Sequence, residues 1–401
     1  MRRTVFNYLA VLFFMLPGGQ AKALILGEQA EVSILTCGPA RQLHAMYGHT
    51  AIRMKDPEKR LDLVFNYGVF SFSKPNFIYR FAKGQTDYML AAERYDDFYE
   101  QYKHHGRSIR EQVLNLTGME KQKLWNFLEE NARPENREYR YNFFFDNCAT
   151  RVRDVVAKQV KGHLVFPEEG AELSFRSLIA HYQQVLPWTD FGIHLVVGSP
   201  ADRIATAYEE MFLPDFLMDH FGRAQIETPQ GTRLLVRESR LLYETEAAQE
   251  HRWRLTEPAV LFAVLSLLVL IISYKQLRKS RSVYGVDYVL LLLNGFAGLV
   301  LLWFVWFSEH PAMRPNYNLL WALPVNLLFL LAWMKKKWRR PLRWYWPVLA
   351  VWLVLFLFMG IWIPQHFPAG VYFIVLMLLC RALLHTRLLY PGSFPRGGRQ
   401  L

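Results

Sequence analysis

The apolar runs between residues 258 and 386 constrain this chain more than any other feature. Five runs rich in Leu, Val, Phe and Trp alternate there with short polar segments. A helix needs roughly 17–25 apolar residues to cross the hydrocarbon core of a bilayer. The sequence therefore predicts a helical membrane domain with five spans, which cover Pro258–Ser273, Val286–Phe307, Tyr317–Met334, Tyr345–Ile363 and Gly370–His385.

The basic residues predict how these spans are oriented. The 401-residue chain has a net charge of +12, a balance that is also typical of nucleic-acid-binding proteins. Basic clusters such as Lys335–Arg340 follow the first and third spans, and the C-terminal tail is basic, whereas the other two loops hold only Arg314. The positive-inside rule places the C-terminus in the cytoplasm and the N-terminal half outside. We therefore expect membrane lipids, and no nucleic acid, as partners.

The first 23 residues have the pattern of a signal peptide. Arg2 and Arg3 precede a short apolar core at Tyr8–Leu16, and Ala21 and Ala23 supply small residues at the cleavage positions. We predict cleavage after Ala23; the alternative is that the segment stays as an anchor. In both cases the residues that follow are exported, and we expect a multi-pass protein of the bacterial inner membrane with its N-terminal domain in the periplasm.

The exported half reads as an α+β domain in which a small antiparallel sheet is combined with helices. Thr117 is a predicted N-cap, with Glu120 in the first turn of the helix that follows. We predict a domain over 24–164, a helical extension of it over 165–255, the membrane domain over 256–387 and a cytoplasmic tail over 388–401. The predicted strands are Glu31–Thr36, Thr50–Met54, Leu61–Tyr67 and Ile109–Leu116, the extended segment is Tyr139–Phe145, and the predicted helices are Met119–Ala132 and Ala149–Val160.

Cys148 is the first candidate for chemistry. Asp146 or Asn147 is a natural N-cap for the helix that follows, which places the sulfur in the first turn, where the helix dipole favours a thiolate. Arg151 and Arg153 add positive charge nearby. The alternative is a structural cysteine that is buried or bonded to Cys37.

His49 is the second candidate, because it stands where a strand begins. If the hairpin turn is centred between Pro57 and Glu58, His49 lies opposite Asn66 on the next strand, and an amide there could orient the imidazole. Asp62 is the alternative orienting residue. The hydrogen-bonded trio of a thiol, an imidazole and an amide is the arrangement of cysteine nucleophiles in acyl chemistry.

Other polar groups are weaker candidates. His44, His104 and His105 fit a surface loop as well as a cleft. The outer loop after the second span contains His310, and Asn316 and Asn318 follow it. Polar and ionisable residues at the membrane surface of a span are candidates for a functional site. The alternative is an interfacial loop anchored by Trp and Tyr. No spacing matches a zinc site, a P-loop or a Gly-x-Ser-x-Gly elbow, and we expect neither a metal nor a cofactor.

With these residues assembled, the chain resembles the Lnb family, the Bacteroides-type lipoprotein N-acyltransferases with an N-terminal periplasmic domain. The order of the histidine and the cysteine is also similar to that of permuted papain-like acyltransferases. The resemblance covers nearly the whole mature chain. The motifs that carry it are YGHTAIR at Tyr47–Arg53, VFNYG at Val64–Gly68, Pro75–Phe77, EQVLNLT at Glu111–Thr117, Pro134–Arg137, YNFFFDNCATR at Tyr141–Arg151, and the outer-loop His-Pro and Asn-Tyr-Asn residues.

The resemblance implies a reaction. Cys148 would take an acyl chain from a membrane phospholipid as a thioester, with His49 as base and then acid and Asn66 as the third member. The α-amino group of a diacylated lipoprotein's N-terminal cysteine would accept the chain. The expected substrate-binding residues are Tyr47, Asn147, Arg151, His310, Asn316 and Asn318.

Two alternatives remain open from the sequence. A cell-wall cysteine peptidase or amidase would use the same Cys-His pair, but it needs a tether rather than five spans. A non-catalytic envelope protein that binds lipid would not depend on Cys148.

Overall fold

The computed structural model describes residues 24–70, 75–245 and 257–390; the predicted signal peptide lies outside them. The strands of the described residues are β1 Glu31–Cys37, β2 His49–Asp56, β3 Leu61–Val69, β4 Asp87–Arg94, β5 Ile109–Leu114, β6 Glu138–Arg140, β7 His163–Val165, β8 Gln225–Thr228, β9 Gly231–Leu234 and β10 Val236–Tyr243. The helices are α1 Phe77–Lys83, α2 Tyr95–His104, α3 Gly118–Asn131, α4 Cys148–Gln159, α5 Phe175–Gln183, α6 Pro187–Val196, α7 Ala207–Glu210, α8 Pro214–Arg223, α9 Pro258–Arg278, α10 Gly285–Phe307, α11 Val325–Met334, α12 Lys336–Arg339, α13 Tyr345–Met359 and α14 Ala369–Leu389.

The chain divides into two compact units. Of the described residues, the first comprises 24–70, 75–77, 86–171 and 206–245, and the second comprises 78–85, 172–205 and 257–390. The segment predicted as one helical extension, 165–255, is therefore shared between them. It contains the helices α5 to α8, and it also contains β8 to β10 and the last residue of β7. The prediction missed these strands; β10, an edge strand with the sequence VRESRLLY, does not alternate apolar and polar residues.

An antiparallel sheet of seven strands, in the order β10-β5-β1-β2-β3-β4-β6, forms the centre of the first unit. The strands predicted as β1, β2, β3 and β5 are all present, while β4 and α2 were not predicted. Thr117 caps α3 in a reciprocal hydrogen-bonded box with Glu120, as expected. Apolar residues of α3 and α4, among them Leu124 and Val152, are fully buried in one core with strand residues such as Ile52.

The β2–β3 hairpin differs from the predicted register by two residues. Ile52 pairs with Phe65 instead of Leu63, because the turn is centred one residue later than predicted. The cause is Asp56, whose carboxylate accepts the backbone N–H groups of Glu58 (3.0 Å) and Lys59 (3.2 Å) and so fixes the turn. A shift of two residues leaves every side chain on its original face of the sheet, so His49 and Asn66 still share a face.

The second unit contains helices that can cross a membrane. Among the described residues four helices are long and apolar enough, namely Pro258–Arg278, Gly285–Phe307, Pro341–Trp362 and Ala369–Leu389. The predicted third span is a pair of helices, Pro311–Leu320 and Val325–Met334, bent by 41°, so the number of spans becomes five only if this pair counts as one. Pro324 is the one residue of the predicted span that indicates this break.

Asn294 satisfies two backbone groups at the break, and Asn326 holds Asn294 in place. Asn294 on α10 donates to Trp321 O (3.0 Å) and accepts from Leu323 N (3.1 Å). Asn326 in turn donates to the Asn294 side chain at 2.6 Å, and Tyr345 donates to Asn326. Unpaired backbone groups are costly in an apolar environment, and neighbouring helices must supply partners. These polar residues therefore have a structural reason to be buried.

A buried charge cluster joins three of the membrane helices. Arg381 on α14 binds both carboxylate oxygens of Asp287 on α10 at 2.7 Å, and it also donates to Ser273 on α9 at 3.1 Å. His385 contacts the same carboxylate at 2.8 Å. Because a buried ion is stable only with a partner of opposite charge, this cluster fixes the packing of the helices around it.

Candidate active site

Cys148 is the first residue of α4, where the sequence placed it. Asn147 is the N-cap: its side-chain oxygen accepts from Ala149 N (2.9 Å) and Thr150 N (3.0 Å), while Thr150 returns a bond to Asn147 N. The Asn147 amide also donates to Phe143 O and Phe212 O, both at 2.8 Å. All of its polar atoms are therefore used to shape the turn, which favours a positioning role over the substrate contact expected for it.

Two opposing effects act on the pKa of the Cys148 thiol. Burial raises the pKa of Cys148. Backbone N–H groups of Thr50, Ala149 and Cys148 itself, followed by the charge of Arg107, lower it. The donors of Cys148 and Ala149 are those expected at a helix N-terminus, and the donor of Thr50 comes from β2. The resting thiol is therefore protonated, and the groups that would stabilise a thiolate already surround it.

His49 and Asn66 are brought together. His49 Nε2 lies 3.0 Å from Asn66 Oδ1, and the Asn66 amide nitrogen donates to Glu93 Oε1 at 2.8 Å. The bond to Glu93 fixes which end of the amide faces the imidazole, so Nε2 carries the hydrogen and Nδ1 is left as the acceptor. The alternative orienting residue, Asp62, is instead paired with Arg53 at 2.7 Å.

His49 is a neutral base at physiological pH. Burial lowers its pKa to about 4, and the hydrogen bond that the ring donates to Asn66 opposes this by raising the pKa. The ring of Tyr102 stacks on it, with centroids 6.3 Å apart and planes within 11°. The residue after His49 is Thr50, whose backbone N–H points to the Cys148 sulfur. The imidazole and the thiol therefore belong to the same small site.

Glu93 on β4 is the third residue of the hydrogen-bonded series His49, Asn66 and Glu93. Burial raises the pKa of its carboxyl to about 7, with Asp97 adding to the rise and the bond from Asn66 opposing it. Glu93 was not among the predicted site residues, because β4 itself was not predicted.

Arg107 contributes positive charge to this site; the loop that carries it was considered as a cleft or a surface loop, and Arg107 was not chosen as a site residue. Its Nε donates to Gly38 O at 2.8 Å and its guanidinium lies over the Tyr102 ring, 4.6 Å from the centroid. Its charge lowers the pKa of both Cys148 and His49. Arg151, which was expected to act on the thiol, is instead paired with Asp146. The signal for Arg107 lay in the loop of His104 and His105, both of which are exposed at the end of α2.

Cys37 is not bonded to Cys148; both cysteines are free. Cys37 is the last residue of β1 and pairs with His49 across the sheet. It is fully buried, and burial raises the pKa of its thiol. The alternative of a Cys37–Cys148 disulfide is therefore absent from this structure, and Cys37 acts as a small core residue.

Two of the expected substrate ligands in the first unit are held by protein contacts. The Arg151 guanidinium lies 4.0 Å from the centre of the Tyr139 ring as well as on Asp146. Tyr47 packs on Phe143, with ring centroids 4.7 Å apart. Arg151 lies three residues after Cys148 in the chain, and Phe143, on which Tyr47 packs, lies five residues before it. The contacts of both side chains are with the protein itself and do not indicate a bound substrate.

The expected ligands of the outer loop belong to the second unit. His310 Nε2 contacts Phe81 O at 2.9 Å. Asn316 donates to Leu195 O (2.8 Å), and Asn318 donates to the same oxygen at 3.0 Å. Asn318 also accepts from the Trp321 indole at 2.9 Å. Both asparagines are buried, so their amides hold the loop in place, and this use favours a structural role.

The geometry of the first unit suits nucleophilic chemistry on a carbonyl carbon. A thiol in the first turn of a helix accepts from the backbone N–H of Thr50, the residue that follows a neutral imidazole oriented by an amide. Such an arrangement deprotonates the thiol as it attacks and later returns the proton to a leaving group. The same groups serve esters, amides and thioesters, so the geometry alone does not choose the substrate.

Comparison with protein-family models gives two matches. The Lnb N-terminal periplasmic domain matches residues 22–180, and the Lnb transmembrane domain matches residues 249–392. No curated protein and no solved structure matches the chain. The first matched segment includes Cys148, His49 and Asn66, and the second includes the membrane helices. The chain therefore belongs to the Lnb family and is an inner-membrane protein with an N-terminal periplasmic domain and a transmembrane domain.

Proposed function

We propose that this protein is a lipoprotein N-acyltransferase that moves an acyl chain from a membrane phospholipid, through a thioester on Cys148, to the α-amino group of a lipoprotein's N-terminal cysteine. The observation that carries the proposal is the hydrogen-bonded His49–Asn66 pair on a strand whose next residue, Thr50, donates its backbone N–H to the helix-capped Cys148, within a domain of the Lnb family. Membership of that family supports the choice of a lipid donor and a lipoprotein acceptor.

The first half-reaction forms the thioester. The Cys148 thiol passes its proton to His49 Nδ1 as the sulfur attacks the ester carbonyl of the phospholipid. The C–O bond of the ester then breaks, and the departing lysophospholipid alkoxide takes the proton from the imidazolium. Asn66 accepts a hydrogen bond from the ring throughout, which favours the charged form of His49 when it arises.

The second half-reaction consumes the thioester. The neutral α-amino group of the acceptor attacks the thioester carbonyl, a C–N bond forms and the C–S bond breaks. One amine proton passes to His49, which returns it to the departing Cys148 sulfur. No oxidant, reductant or cofactor is needed, because both steps exchange one acyl–heteroatom bond for another.

The lipid substrates explain why the enzyme is tied to a membrane domain. Donor and acceptor both keep their acyl chains in the outer leaflet, so a soluble domain would have to extract them at a cost of about 0.8 kcal/mol per CH₂ group. We propose that the bent pair of helices counts as a fifth span, that the C-terminus is cytoplasmic, and that residues 1–23 act as a cleaved signal peptide. We propose likewise that the periplasmic sheet-and-helix domain is of the permuted papain-like kind.

Mass spectrometry of lipoprotein N-termini tests this function. Cells that depend on this protein for N-acylation should carry triacylated lipoproteins with the wild-type chain and diacylated ones with Cys148→Ala. The matched control is Cys37→Ala, which removes a buried cysteine of the same domain and should keep triacylation. Unchanged triacylation in the Cys148→Ala cells would refute the proposal. Loss of cell-wall peptide cleavage, with lipoproteins unchanged, would instead identify a cysteine peptidase.

A further inference from the structure

Tyr139 on β6 presents a buried hydroxyl group that has no hydrogen-bond partner within residues 24–70, 75–245 and 257–390. The residue is only 9% exposed. A buried hydroxyl without a partner costs about 1–3 kcal/mol, so an unpaired one is uncommon unless a ligand supplies the acceptor. The catalytic scheme above does not use it.

The ring of Tyr139 is held firmly in place. It packs edge-on against Tyr67, with ring centroids 6.1 Å apart, and its centre also lies 4.0 Å from the Arg151 guanidinium. Arg151 is itself fixed by Asp146. A rigid donor loses little entropy when it binds an acceptor, which is the property required of a group that stabilises a developing charge.

Gly68 shows where this hydroxyl points. A Cβ atom placed on Gly68 would lie 3.5 Å from Cys148 Cβ and 4.0 Å from Tyr139 Oη. One point in space is therefore within 4.0 Å of both the nucleophile's side chain and the unpaired hydroxyl. The backbone of Gly68 has φ +90°, a conformation that disfavours any residue with a side chain. The space beside the thiol is thus kept open by a glycine.

The hydroxyl remains a donor at all physiological pH values. Burial, and then the proximity of Cys148, raise the pKa of Tyr139 well above 10. Its neighbour Tyr67 has a similar position in the core, but its hydroxyl donates to Asn131 Oδ1 at 2.6 Å. Of this pair of tyrosines, Tyr139 is the one whose O–H group is available.

We infer that the Tyr139 hydroxyl donates a hydrogen bond to the carbonyl oxygen of the acyl group while Cys148 attacks it, in the space that Gly68 leaves open. This inference rests on the proposed acyl transfer. As the S–C bond forms, the C=O electron pair moves to the oxygen, and the Tyr139 O–H bond stabilises the oxyanion without giving up its proton. The pair returns to form the C=O bond when the leaving group departs, and Tyr139 serves both half-reactions in the same way.

Two reactions of the same sulfur test this role in the full-length protein. Acylation by a p-nitrophenyl ester of a medium-chain fatty acid passes through an oxyanion, whereas alkylation by iodoacetamide does not. Tyr139→Phe keeps the ring and removes only the hydroxyl group. We expect the acylation rate to fall about 10²–10³-fold, the loss typical of one oxyanion donor, while the alkylation rate and the thermal unfolding temperature stay at their wild-type values.

Tyr67→Phe is the matched control, because it removes a hydroxyl of the same aromatic pair that has a structural partner. It should lower the unfolding temperature slightly and leave acylation unchanged. Equal acylation by Tyr139→Phe and wild type would overturn the inference, and so would a parallel fall in acylation and alkylation, which would indicate an effect on the thiol itself. Wild-type protein that is alkylated but never acylated would instead overturn the proposed function, and the inference with it.

Discussion

Replacement of Asn66 by alanine tests whether the amide beside His49 takes part in catalysis. In the resting enzyme Asn66 accepts from a neutral imidazole over 3.0 Å. In the transition state that imidazole has taken the thiol proton and is charged. A hydrogen bond to a charged group is worth about 1.5–3 kcal/mol, so its loss should slow thioester formation about 10- to 150-fold.

The same change also has a structural cost, which a matched variant separates from the catalytic one. Asn66→Ala removes two hydrogen bonds, one accepted from His49 at 3.0 Å and one donated to Glu93 at 2.8 Å. Asn131→Ala also removes two, from Tyr67 Oη at 2.6 Å and to Asn136 O at 2.9 Å, but away from the thiol. Each variant should lower the free energy of unfolding by about 1–3 kcal/mol.

The assay is the rate at which purified full-length protein in detergent micelles gains an acyl mass from phosphatidylethanolamine. Thermal unfolding in the same micelles gives the stability of each variant. We expect the slow rate only in Asn66→Ala and a near wild-type rate in Asn131→Ala. Equal rates in the two variants would refute a catalytic role for the amide, whatever their stabilities.

Four further perturbations have defined outcomes. Gly68→Ala should cost about 1–2 kcal/mol of strain at its positive φ and slow acylation at least about tenfold, which thermal unfolding and the ester assay measure; an unchanged rate would show that the space is not used. Arg107→Gln should shift the pH dependence of alkylation of the nucleophile to higher pH, because a charge that lowers its pKa is lost; no shift would contradict that assignment. The pKa of His49 is about 4 in the folded protein and 6.5 in the unfolded chain. Between these pH values the unfolded chain binds one more proton, so the free energy of unfolding should fall by up to about 3 kcal/mol as the pH drops from 6.5 to 4. In His49→Gln, thermal unfolding should show an acid sensitivity that is smaller by this amount. Asp287→Asn should destabilise the membrane unit by about 3–5 kcal/mol because it leaves Arg381 buried without its counter-charge, and a double change that also neutralises Arg381 should recover part of the loss in the same assay.

The local features of the site were predictable from the sequence because they depend on neighbours along the chain. The capping residue before Cys148 follows from side-chain chemistry at a helix start. The pairing of His49 with Asn66 was predicted from a hairpin whose register was wrong by two residues. The two residues still meet, because a register shift of two residues leaves both side chains on the same face of the sheet. They become diagonal neighbours, which a long side chain can still span.

The remaining features depend on contacts between distant segments, which no local pattern encodes. Arg107 acts on the site from a loop that looked like solvated surface, and Glu93 comes from a strand whose polar and apolar residues did not alternate clearly. That the Tyr139 hydroxyl lacks a hydrogen-bond partner among the described residues is known only from the three-dimensional structure. Asn316 and Asn318 were expected to bind substrate, but their amides are used by backbone carbonyls of a segment more than a hundred residues away.

Capture of the acyl-enzyme tests the central claim most directly. Purified protein is incubated with a phospholipid, freed of the lipid, and digested to locate the added mass; a synthetic peptide with an N-terminal diacylglyceryl-cysteine is then supplied. We expect a hydroxylamine-sensitive acyl group on Cys148, and its stoichiometric transfer to the α-amino group of the peptide. An acyl group found on another residue, or one that is released only to water when the peptide is present, would contradict the account.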